Sequence, residues 1–179
     1  ADADGTPLKG QCVWSGTKFV AAGDNQDTHL TLSASANEAV PAILTLNGGA
    51  DAAGNRLIIP SGKSMSLRIS AAAVCSSGED VGKSAHWEIK VSIANVAGTT
   101  AIVGSHGALN FDGEHDEHGS WFPYTCTADD AGMKAMKLIP TASDGNDCLV
   151  LTFTGHAKHG AGAANHFHVK ARISTSEIA

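Results

Sequence analysis

Residues 83–95, KSAHWEIKVSIAN, alternate between apolar and polar positions. Trp87, Ile89, Val91 and Ile93 fall on one side, and His86, Glu88, Lys90 and Ser92 on the other. Side chains along a strand point to opposite faces in turn, so this is a strand with one buried and one wetted face. Residues 165–174, NHFHVKARIS, repeat the pattern: Phe167, Val169, Ala171 and Ile173 against His166, His168, Lys170 and Arg172. Met65, Leu67 and Ile69 form a third row, and Leu149, Leu151 and Phe153 a fourth. Several one-sided rows of this kind imply sheets that share a core.

Between the rows lie turn signals. Asn47-Gly48-Gly49, Ser61-Gly62-Lys63 and Asp144-Gly145-Asn146 carry the residues that tolerate positive φ. Shorter segments at 12–20, 29–33, 42–46, 56–59, 100–103 and 124–127 read as further strands. Residues 24–27 and 76–81 read as polar turns, and 155–164 as a glycine-rich loop. MKAMKLI at 133–139 fits either a helical turn or a strand, and Pro140 is expected to end it. The sum is an all-β chain: an antiparallel, jelly-roll-like β-sandwich of about 9–11 short strands. Residues 1–10 read as a flexible lead-in and not as a signal peptide, having no basic head followed by an apolar run. Residues 11–179 read as a single domain.

Composition agrees. The chain has 179 residues, 42% of them hydrophobic, enough to bury a core, and its 20 glycines favour turns over long helices. Twelve basic against 18 acidic residues give a net charge of -6, which argues against nucleic acid as a partner. No apolar run reaches the about 20 residues that a membrane-spanning helix needs. Cys12, Cys75, Cys126 and Cys148 are too far apart for a CxxC-type site. The leading expectation is free, mostly buried thiols, with a disulfide between strand ends as the alternative.

Four strings, read in order, resemble a known family: GTKFVAAGDNQD, AVPAILTLNGGADAAGNRLIIPSGKSMSLRI, GKSAHWEIKVSIANVAGTTAIVGS and VKARISTSEI. Together they look like the β-sandwich domain at the C-termini of bacteriophage tail-fibre and related virion proteins. That family has a TLNG-like turn, a LIIP-like strand, an aromatic-Glu strand and an AGTTALVG-like segment. It closes on a tail like RISTSEI at 172–178. The likeness runs from about Gly10 onward and rests on the shared order of the motifs. It departs at 105–124, where a His- and acid-rich stretch, FDGEHDEHGSWFPY, replaces a plain strand pair. The resemblance implies a non-enzymatic structural part of the virion, assembled in the host cytoplasm and often trimeric. Its partners would be its own copies, other virion proteins and a host-surface glycan or receptor. No catalytic residues carry over from it.

The residues themselves offer two candidate sites. Trp121 and Tyr124, beside Asp112, His115 and His118, form an irregular aromatic and charged stretch suited to stacking on a sugar or filling a subunit contact. Histidines among acids there would change charge between about pH 5 and 7. His166 and His168 share one strand face, so both imidazoles reach one point: a half-site for a transition-metal ion, completed if three copies meet on an axis. The plainer readings are hydrated loop charges and solvated face histidines, and no cofactor is otherwise expected. No G-x-S-x-G, HExxH or phosphate-loop spacing occurs, and carboxylates at 112–117 are expected to be loop charges rather than a glycosidase pair. The chain therefore reads as a non-enzyme.

Overall fold

A computed structural model describes residues 12–15, 25–103, 124–128, 135–157 and 162–178. Its strands are β1 (Cys12–Ser15), β2 (Asn25–Asn37), β3 (Ala42–Ile43), β4 (Leu57–Ile58), β5 (Ser64–Ser77) and β6 (Ser84–Val96). They continue with β7 (Thr99–Val103), β8 (Tyr124–Ala128), β9 (Lys137–Ser143), β10 (Cys148–Thr154) and β11 (His166–Ile178). The only helical segments among the described residues are two 3-10 turns, Ala53–Asn55 and Asp144–Asn146.

The strands form two antiparallel sheets. The large one runs β1-β2-β11-β5-β6, with β7 and β8 both pairing the far edge of β6. The small one centres on β10, with β9 on one side and β3 and β4 on the other. β2 lies beside β11 in one sheet, and β3 and β4 lie beside β10 in the other. That paired ribbon, folded over from sheet to sheet, is the jelly-roll-like feature. The β5–β6 hairpin departs from it by staying within the large sheet. One corner is pinned where Ser33 and Thr45 exchange both backbone hydrogen bonds, at 2.9 and 3.0 Å.

The apolar rows read from the sequence are the core. Trp87, Ile89, Ile93, Leu67, Ile69, Phe167 and Ile173 from the large sheet meet Leu138, Leu149, Leu151 and Phe153 from the small one, all essentially inaccessible. Phe153 reaches across, edge-on to Trp87 at 6.0 Å and to Phe167 at 5.8 Å. Burying each such side chain contributes roughly 1.5–3 kcal/mol, so this row is a main source of stability. Cys75 and Cys148 are free, buried thiols, as the leading expectation had them.

Three local expectations need correction. β2, β5, β6 and β11 span 13 or 14 residues each and are not short. Asn25–Asp27, read as part of a turn, pairs with 176–178 of β11 and extends β2. Pro140 does not end its element but sits inside β9 opposite Leu151. Among the described residues β9 is bonded to β10 alone, and an edge strand tolerates a residue without an N–H. The lead-in expected at residues 1–10 lies outside the described residues.

Candidate binding face on the large sheet

The register converts the polar halves of the strands into a surface. Side chains directly opposite one another on neighbouring strands share a face. Ser35, His168, Val74 and Ser84 therefore form one row across β2, β11, β5 and β6. Ser33, Lys170, Ala72 and His86 form the next, and Thr31, Arg172, Ser70 and Glu88 the one after. These are the wetted positions of strands whose alternate residues fill the core. His168, Lys170, Arg172, His86 and Glu88 are all exposed.

Side-chain lengths shape this face. β11 raises long side chains along the middle, while β2 and β5 carry Thr31, Ser33, Ser35, Ser70 and Ala72 on either side. A groove of about 700 Å³ crosses the first two rows, from Gly48 on one side to Gly82 and Ser84 on the other. The Asn47-Gly48-Gly49 turn makes the first wall. Gly48 holds φ at 68°, and a Cβ there would come within 2.8 Å of Ser33 Oγ, so glycine lets the turn lie against β2. Its Asn47 Oδ1 accepts the Gly49 N–H at 2.9 Å and closes the turn.

The groove is electropositive in an acidic chain. Among the described residues its lining holds Lys170, His168 and His86 and no carboxylate. The side chains of Lys170 and Arg172 make no ion pair or hydrogen bond among the described residues. The nearest acid on the face, Glu88, is paired with Arg68 at 3.5 Å. A smaller hollow of about 380 Å³ lies at the other end of the face, beside Asp27, His29, Arg68 and Lys90. Two of its hydroxyls are already engaged, Ser176 with Asp27 at 2.8 Å and Ser174 with His29 at 2.9 Å.

A buried polar cluster anchors the rim near Gly82. Asp80, in the β5–β6 connection, is buried with His156 and Asn165. Its carboxylate accepts hydrogen bonds from Lys83 Nζ at 2.7 Å and Asn165 Nδ2 at 2.9 Å, and lies 3.3 Å from His156 Nε2. The Lys83 ammonium holds the Asp80 carboxyl below the usual carboxylate range against the opposing effect of burial, and Asn165 and His156 add to this. The Cys75 thiol donates to the Ser77 carbonyl at 3.1 Å beside the same Asn165.

The structure brings the two metal-candidate histidines together. The rings of His166 and His168 lie 5.4 Å apart on the outer face. His166 Nδ1–H donates to the Ala36 carbonyl at 3.1 Å, and His168 Nδ1 shares a 3.1 Å hydrogen bond with Ser35 Oγ. With each Nδ1 engaged, Nε2 is the nitrogen left to ligate, the division of roles that second-shell contacts give to ligating histidines. Among the described residues, no group of three or more His, Cys, Asp or Glu could hold a metal ion.

Of the other candidate residues, Asp112, His115, His118 and Trp121 lie outside the described residues. Tyr124 opens β8, its backbone paired with Ile89. Sequence reasoning missed Lys170, His86 and Ser35 as neighbours. Their outward alternation was the available signal, and only the strand register joins it into one site. The chain matches no protein-family model, and a comparison with curated proteins gives no match either.

Proposed function

We propose that this chain is a structural and contact module of a bacteriophage particle, at a fibre tip or on the particle surface. In this reading it works by presenting the outer face of its large sheet to a partner and catalyses no reaction. The observation that carries the reading is the wide, exposed sheet face itself, rich in serine, threonine and cationic side chains and held by a deep apolar core. The motif order from the TLNG-like turn to the RISTSEI tail supports the assignment to a virion. So does the fold class, since a rigid sandwich suits an extracellular load-bearing part. Self-association into a trimer accompanies this reading and is measured by light scattering on the purified chain.

The test is made on the particle. Gold-labelled antibody against the purified chain is expected to decorate intact phage at one defined location, and the soluble chain is expected to slow adsorption to the host. Particles that carry no label, in a preparation where the antibody detects the chain only in infected-cell lysate, would refute the reading.

A further inference from the structure

We infer that the transverse groove binds an acidic saccharide, with Lys170 receiving a sugar carboxylate. The inference rests on the contact reading above and names the ligand class. The argument is one of charge and shape. The chain carries a net charge of -6, yet among the described residues the groove lining contains one lysine, two histidines and no acid. A lysine with no ion pair among the described residues and with hydroxyls beside it is a ready partner for an anion, because a charge-assisted hydrogen bond is about twice as strong as a neutral one.

The rest of the lining fits a sugar better than a bare phosphate or a nucleic acid strand. Ala72 and Val74 form a low apolar floor, with Val74 40% exposed, on which the C–H face of a pyranose ring can lie. Ser33 and Ser84 stand around it, and Ser35 Oγ, already bonded to His168 Nδ1, keeps a second hydrogen-bonding position for a ring hydroxyl. Phosphate chains call for a run of cations, and single-stranded nucleic acid calls for aromatic platforms. Among the described residues the lining offers one lysine and no Phe, Tyr or Trp. Arg172, one row further along β11, extends the positive strip for a second acidic residue of a longer chain.

The test uses the purified full chain and tetragalacturonate as the probe, measured by titration calorimetry at low salt. Maltotetraose serves as the uncharged sugar and tripolyphosphate as the non-sugar anion. Tetragalacturonate is expected to bind more tightly than either, and to weaken as sodium chloride is added. Lys170→Ala, an exposed change, is expected to weaken binding about tenfold or more, the loss of one charge-assisted hydrogen bond. Lys90→Ala, in the hollow at the other end, is expected to leave it unchanged. Equal binding of maltotetraose, tightest binding of tripolyphosphate, an unaltered Lys170→Ala affinity or no tetragalacturonate binding would each overturn the inference. Particle labelling reads the contact role without any saccharide, so either idea can fail while the other stands.

Discussion

Asn165 grips Asp80 at two points. Its Nδ2 donates to Asp80 Oδ2 at 2.9 Å, and its Oδ1 accepts the Asp80 backbone N–H at 3.1 Å. Asn165 is almost wholly buried and immediately precedes β11, so this pair ties the β5–β6 connection to the start of the central strand. Removing it leaves a buried carboxylate oxygen and a buried N–H short of partners. Asn165→Ala is expected to cost about 1–3 kcal/mol, read as a lower urea midpoint. Asn165→Asp is expected to be worse, since it sets a second carboxylate against the first. An alanine variant as stable as the parent would show that the grip contributes nothing.

Stability is expected to fall in acid through Asp80. Its carboxyl titrates below the ordinary value of 3.8 in the folded chain, chiefly because Lys83 donates to it. A depressed folded pKa means that the unfolded chain binds the proton first as pH drops. The stabilisation is therefore complete above the unfolded value, near pH 4, and is lost as pH falls through the folded one. Urea midpoints between pH 2 and pH 6 check this by difference. Asp80→Asn is expected to be less stable than the parent at pH 6 and to lose less on going to pH 2. Parallel curves for the two proteins would count against the assignment.

The apolar skeleton was legible in the sequence because period two leaves a mark wherever the residues are large. Trp87, Ile89, Val91 and Ile93 could hardly be read otherwise. The mark fades where the buried face is Ala34, Ala36, Ala71 or Ala73, and strand lengths were underestimated there. β2 gains its first residues from pairing with 176–178 of β11, an interaction between distant segments that no local pattern carries. The groove was illegible for the same reason. Ser35, His168, Val74 and Ser84 come from four strands, and they become neighbours only once three registers are fixed. Asp80 and His156 looked like loop residues and Asn165 like the first residue of the last strand, and burial of such polar residues follows from the partners they find.

Trp87 offers a sharper test of the core. Its indole is 1% exposed, and its Nε1–H has no hydrogen-bond partner among the described residues. Trp87→Ala removes the packing against Phe153 and is expected to cost about 3–5 kcal/mol. Trp87→Phe loses some volume but also removes a buried donor that itself costs roughly 1–3 kcal/mol, so its net cost is expected to be small. Chemical denaturation of both variants checks the contrast. A Trp87→Phe cost as large as that of the alanine change would mean that the indole nitrogen is satisfied in solution.

Two glycines separate backbone strain from steric exclusion. Gly62 holds φ at 80° with open space where a Cβ would stand, so Gly62→Ala meets only the left-handed backbone penalty, about 1–2 kcal/mol. Gly78 holds φ at 108°, and a Cβ there would strike the Ala164 carbonyl oxygen and lie 2.6 Å from Asn165 Oδ1. Gly78→Ala therefore meets strain and also pushes apart the segments that Asp80 and Asn165 hold together. Its cost is expected to exceed that of Gly62→Ala clearly, and amide exchange is expected to quicken at Asp80 in the first variant but not in the second. The hydrogen bond from Asp80 N to Asn165 Oδ1 is what that exchange reports, since the amide must leave it before it can meet solvent. Equal costs, with Asp80 equally protected in both, would place the close approach of Gly78 to Asn165 in doubt and with it the geometry of the buried cluster.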